Sequence, residues 1–134
     1  VKLGLANIVT LFVLKRYKFS DAAIVLAMRI ILATIFTGQA VSFIYSVSGG
    51  FLCLIVMAAV NKLLRGQYIF LTGILGAVSH NAGQIFVAMW VLDTATLIYY
   101  LPVLAITGIA SGTVIGLLAV MVIRRVSGMI NRWD

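Results

Sequence analysis

Residues 41–60, VSFIYSVSGGFLCLIVMAAV, run for twenty positions without one charged side chain. At about 1.5 Å of rise per residue, a helix of that length covers about 30 Å, the thickness of a bilayer's hydrocarbon core. Working outward, charges and turn residues divide the rest of the chain into further apolar runs at about 3–14, 22–37, 68–92 and 97–123. The composition agrees: 63% of the 134 residues are hydrophobic and 10% are charged, against roughly 25% charged in soluble domains. An aqueous fold has no place for so much apolar surface. The expectation is an all-α integral membrane protein, one transmembrane helical domain over residues 1–134. Five transmembrane helices are expected, at about 3–16, 21–38, 41–63, 68–92 and 97–125.

The basic residues punctuate these runs. Lys15, Arg16 and Lys18 follow the first, Lys62 and Arg65 the third, and Arg124, Arg125 and Arg132 the fifth, whereas the opposite ends hold Lys2 alone. Alternating helices put eight of the ten basic residues on one side, which the positive-inside rule makes cytoplasmic. A multi-pass cell-membrane protein with its C-terminus inside and the start of this sequence outside is therefore expected. The net charge of +7 reads as a topology signal and gives no reason to expect nucleic acid, since the charges form no continuous face. An odd number of spans opening at Val1 leads us to expect a further helix upstream. The first run, about 18 Å long, suits a helix that begins in a loop or lines a thinned vestibule. Cys53 lies inside an apolar run without a second thiol, so packing is its expected role.

In lipid, helices associate where small residues let backbones approach. Gly108, Gly112 and Gly116 form such a row on the last helix, Thr72, Gly76, Ser79 and Gly83 mark the fourth, and Ala23 and Ala27 the second. Each serves either packing within the bundle or docking to a partner subunit. Pro102 fits the first turn of the last helix, where its missing N–H would be unpaired in any case. Residues 97–101 then become an interfacial lead-in. Tyr99 and Tyr100 suit the headgroup belt or the lid of a cavity.

Polar side chains inside hydrocarbon are costly enough to face protein or a water-filled space, so each is a candidate site. Arg29 lies about 12 Å along its helix from Asp21, near mid-membrane, and none of the three acids, Asp21, Asp93 and Asp134, is placed to neutralise it. It either bonds to neighbouring carbonyls and amides, snorkels, or holds an anionic ligand. The fourth run carries the densest polar cluster, Ser79, His80, Asn81 and Gln84. His80 and Gln84 share a face at i, i+4, and Asn81 and Gln84 pair at i, i+3. One His without nearby Cys, Asp or Glu is a poor metal site, so no metal is expected. His80 serves either an interhelical hydrogen bond or a cavity wall.

Asn7, Gln39, Ser42, Tyr45, Ser46, Asn81, Gln84, Tyr99, Tyr100 and Thr107 all map to the middle or outer half of the bundle, while the inner half is aliphatic. That asymmetry predicts a pocket opening outward, for capture of a solute, and lacks the through-going polar path of a channel. The substrate-binding candidates are Asn7, Arg29, His80, Asn81, Gln84 and Tyr99. No GxxxxGK[ST] loop is present, nor paired catalytic carboxylates or a nucleophile with a base. The chain is not expected to be an enzyme, and uphill transport needs an energising partner or a coupling ion.

Lys2-Leu3-Gly4-Leu5-Ala6-Asn7, Ser48-Gly49-Gly50, Ser79-His80-Asn81-Ala82-Gly83-Gln84 and Tyr99-Tyr100-Leu101-Pro102-Val103-Leu104 together carry a resemblance over nearly the whole chain. It resembles the Gx transporter family, often labelled heptaprenyl diphosphate synthase component I, which in turn looks like the substrate-binding S components of energy-coupling factor transporters. The resemblance implies a six-helix S-component bundle whose first helix lies upstream. It also implies a small solute captured from outside, a transmembrane coupling subunit as partner, and ATP used by partner ATPases, with no cofactor on this chain. Ala23 and Ala27 do not match the small-residue coupling motif of such proteins. The label raises an alternative, a non-catalytic membrane subunit associated with prenyl diphosphate synthesis. Chain-elongating prenyl synthases hold magnesium on aspartate-rich helices, and this sequence has no two acids within one turn. A purely structural membrane subunit, with its glycine rows serving assembly alone, is the third reading.

Overall fold

The computed structural model describes residues 2–130, with side chains for residues 7–129. Arg132, Asp134 and the side chain of Lys2 lie outside these described residues. All regular structure among the described residues is helical: α1 Lys2–Arg16, α2 Phe19–Thr37, α3 Ala40–Leu63, α4 Ile69–Val91, a 3₁₀ segment Ala95–Tyr100, and α5 Leu101–Ile130. Four helical segments, α2, α3, α4 and the continuous stretch Ala95–Met129, are long and apolar enough to cross a membrane. The protein is therefore an all-α, multi-pass membrane protein. α1 has 15 residues, about 22 Å at the helical rise, and falls short of the four, although five crossings were expected. The last helix also differs from the expected 97–125: its start is a tighter 3₁₀ segment and its end extends to Ile130. The chain passes from one to the other just before Pro102, which sits in the first turn of α5, where a residue without an N–H breaks no helical bond.

The loops are short because their turns are tight. Gly38 ends α2 at φ +67, returning its N–H to the Thr34 carbonyl at 2.8 Å. Arg65 and Gly66 both take positive φ between α3 and α4, and the Gly66 N–H reaches the Asn61 carbonyl at 2.8 Å. The Asp21 carboxylate accepts the Lys18 N–H at 3.1 Å and so caps the start of α2. Lys15, at the end of α1, donates through Nζ to the Gly66 carbonyl. This bond places the α1–α2 and α3–α4 turns at one end of the bundle, together with Arg16, Lys18, Lys62 and Arg65. Arg124 joins them, sharing a small pocket with Gln67 and Tyr68. The ladder of basic residues in the sequence thus becomes one basic end.

α4 packs between α3 and α5, and α1 touches all four other helices. Glycines set the approach. Gly112 faces Ile74 and Ala77, while Gly116 lies against Phe70 and opposite Gly73, so α4 and α5 run antiparallel backbone to backbone. A Cβ on Gly112 would fall 2.6 Å from the Ile74 Cα, so the row on α5 is internal packing against this chain's own α4. On the other side of α4, Gly83 meets Ser48 and Gly49, and the Ser48 hydroxyl donates to the Gly83 carbonyl at 3.1 Å. Close contact without bulky side chains is how helices bind one another where water supplies no hydrophobic drive. Toward the basic end the interior is mainly apolar, built on Leu11, Leu26, Ile30, Leu54, Met57 and Ala119, with Thr10 and Thr72 buried beside them. Cys53 is buried in that cluster as a free thiol.

Candidate functional site

The glycine seam stops at Gly108. Beyond it, toward the end opposite the basic clusters, α3, α4, the 3₁₀ segment and α5 line a cavity of about 660 Å³, within the roughly 300–1,000 Å³ of small-molecule sites. Ser42, Tyr45 and Ser46 of α3 form one wall, and Asn81, Gln84, Ile85 and Ala88 of α4 the next. The 3₁₀ segment and α5 supply Leu97, Tyr100, Val103 and Leu104. Helical spacing explains the walls. Residues 42, 45 and 46, and 81, 84, 85 and 88, recur at three and four, so each set shares a helix face.

Asn81 holds the mouth of the seam. Its Nδ2 donates to the Leu104 carbonyl at 2.9 Å, and that carbonyl also accepts the Thr107 hydroxyl at 3.0 Å. Gly108 makes room for this bond, because a Cβ there would sit 3.1 Å from Asn81 Nδ2. One polar side chain therefore both ties α4 to the start of α5 and faces the cavity. Gln84 packs its Cγ over Gly49 and also lines the cavity. With the hydroxyls of Ser42, Ser46, Tyr45 and Tyr100, the site offers several donors and acceptors on an otherwise apolar wall, which suits a ligand that is partly apolar and carries a few polar groups.

The other candidates lie elsewhere. Tyr99 is 80% exposed and absent from the wall, whereas its neighbour Tyr100 lines it. His80 is one turn along α4 from Gln84, below the cavity, 2% exposed and against Gly49. Arg29 is half-buried on α2, within electrostatic reach of His80 and Cys53. Asn7 is buried on α1 and outside the cavity wall. The polar set read from the sequence thus divides into an outer cavity with Asn81 and Gln84 and a deeper pair, Arg29 and His80. Ala23 and Ala27 line a separate apolar groove of about 220 Å³ between α2 and α3, unlike the closed glycine seam. Among the described residues, no three His, Cys, Asp or Glu side chains come together as metal ligands.

The cavity residues absent from the candidate list are Ser42, Tyr45, Ser46 and Tyr100 and the apolar wall. The three on α3 had a usable signal in their common face, and Tyr100 was paired with Tyr99 without a means of choosing. Leu97, Val103 and Leu104 carried none, because aliphatic residues in a span look alike whether they face lipid or ligand.

A family model described as heptaprenyl diphosphate synthase component I matches residues 1–122. The chain belongs to that family. The match takes in all the cavity walls, the glycine seam and the deeper polar pair. The name of this family speaks of a component of a synthase. No curated protein and no solved structure matches the chain.

Proposed function

We propose that this protein is the membrane-embedded substrate-binding component of an uptake system, capturing a small solute in the cavity between α3, α4 and α5. The observation that carries the reading is the cavity's place and lining. It lies toward the end opposite the basic clusters, which the positive-inside rule puts outside the cell, and polar groups from α3, α4 and the 3₁₀ segment line it. With no phosphate-binding loop of its own, the chain would rely on a transmembrane coupling subunit and ATPases to drive release inward. The mainly aliphatic core below Arg29 and His80, broken by the hydroxyls of Thr10 and Thr72, supports capture over free passage, which would need a continuous polar path.

The test is equilibrium binding of a small-solute library to the protein in nanodiscs. A saturable ligand is expected, weakened about tenfold or more by N81L or Q84L, the loss of one or two hydrogen bonds in a desolvated site. Saturable binding that both substitutions leave unchanged would reject this cavity as the site.

The family's name favours a second reading, a membrane subunit that assists prenyl diphosphate synthesis. It predicts that magnesium-dependent chain elongation by a soluble synthase partner in reconstituted membranes rises when this chain is present. Elongation indifferent to the chain would remove it.

A further inference from the structure

Below the cavity floor α2 and α4 flank α3 near the midpoints of all three helices, with Gly49 against His80 and Gly50 against Leu26 and Ile30, and there the polar accounting fails to close. Arg29 Nη1 is buried with no hydrogen-bond partner, and neither ring nitrogen of His80 has one. His80 is 2% exposed, and its ring leans on the Gly49 backbone without reaching hydrogen-bond geometry. Buried polar groups are nearly always paired, and a guanidinium in a membrane interior is among the costliest to leave bare. What is missing can be identified by chemistry. Arginine is donor-only, whereas a neutral imidazole carries one N–H donor and one acceptor nitrogen and a protonated one two donors. Cys53, the third polar group within reach of Arg29, is a weak acceptor. Asp21 and Asp93 lie at helix ends. The described chain therefore presents at least two buried donors and a positive charge against a single neutral acceptor nitrogen, and no negative charge to meet them.

We infer that Arg29 and His80 form an oxyanion site that binds a carboxylate or phosphate group beneath the outer cavity. The planar fork of arginine suits two oxygens of such a group, and the imidazole N–H adds a donor from α4. Because His80 and Gln84 stand one turn apart against the same glycine, Gly49, the site continues the cavity wall downward. The oxyanion is then either the acidic end of the molecule held above, which rests on the capture reading, or a free anion that completes the fold without it. Either source supplies the same contacts.

The experiment uses the full chain in detergent or nanodiscs, with thermal unfolding and calorimetric titration as readouts. The probes are inorganic phosphate, acetate, geranyl phosphate and the neutral alcohol geraniol, at ionic strength held constant with a bulky morpholine sulfonate. At least one of the three anions is expected to raise the midpoint saturably, and geraniol to do so less. R29M should respond to none of them, and its ligand-free midpoint should be no lower than that of the unsubstituted protein, since it removes a charge that has no partner. R29K should keep a response weakened about tenfold, a compact ammonium replacing the fork. A response to phosphate or acetate alone that survives N81L assigns the site to a free anion. A response confined to geranyl phosphate and weakened by both R29M and N81L assigns it to the captured molecule. If N81L and Q84L abolish solute binding without changing the response to phosphate, the anion site stands apart from the cavity. The inference is overturned if no anion shifts the unsubstituted protein, or if R29M shifts as it does. It is equally overturned if R29M lowers the ligand-free midpoint, which would mean that Arg29 is already paired by the fold.

Discussion

The two ends of the α4–α5 pair solve opposite problems with the same two helices. From Gly116 to Gly108 the helices are closed, backbone against backbone, with Gly73, Ala77 and Val78 offering little volume on the facing side. From Asn81 and Leu104 outward the glycine seam ends, and Tyr100, Val103, Gln84 and Ile85 border open space. In lipid, closure depends on small residues, since dispersion between well-fitted surfaces replaces the hydrophobic drive. Opening needs larger side chains that hold the helices apart and polar groups with a reason to face inward. Asn81 stands at the changeover, bonded to the Leu104 carbonyl. The lesson is that the cavity depends on the seam: a rigid glycine joint at one end lets the other end border open space without loosening the bundle.

The sharpest way to break this arrangement is to force the seam. G112V should be the most damaging substitution, because even a single Cβ would lie 2.6 Å from backbone at Ile74. G112A alone is expected to cost about 1–3 kcal/mol as overpacking, and the valine more, read as a lower midpoint in detergent. G76A is the control for the argument. Its Cβ would come 2.6 Å from Met57 Cγ, a buried but unbranched side chain that can repack where backbone cannot, so it should cost less than G112A.

Next in size is the changeover itself. N81L removes the bond to Leu104 while preserving bulk, and a net loss of about 1 kcal/mol in stability is expected, accompanied by the weakened binding described above. A binding loss without any stability loss would separate Asn81's two roles. At the cavity end, S46W should fill space without touching the seam, leaving the unfolding midpoint within about 0.5 kcal/mol while displacing the solute. The smallest effect is reserved for a neighbouring pair of tyrosines: Y100A should weaken binding and Y99A should not, since the first lines the cavity and the second faces outward.

Much of this contrast was legible in the residues. The spacing of Gly108, Gly112 and Gly116 marked a packing face, but spacing leaves its partner open, and the contacts assign it to α4. The charge ladder from Lys15 to Arg125 foretold which helix ends lie together. The polar residues of the outer half pointed to a cavity there, and Asn81 and Gln84 were recognisable by their common face. Depth along a helix, however, says nothing of direction around it. Arg29, His80 and Asn7 therefore seemed to belong with Asn81 and Gln84, whereas the first two sit below the cavity and Asn7 on a helix outside its wall. The choice between Tyr99 and Tyr100 turned on the 3₁₀ segment, whose tighter winding no hydropathy pattern announces. α1 was readable as short, but its contact with every other helix was not.

The capture proposal stands or falls on whether the cavity lined by α3, α4 and α5 holds a small molecule. Native mass spectrometry of the protein released from mild detergent tests it most directly, comparing the unsubstituted chain with S46W. A bound species of one defined mass on the former, absent or strongly depleted on the latter, is the predicted result. The same mass retained equally by both proteins would contradict it, because a ligand indifferent to a tryptophan in the cavity cannot be seated there.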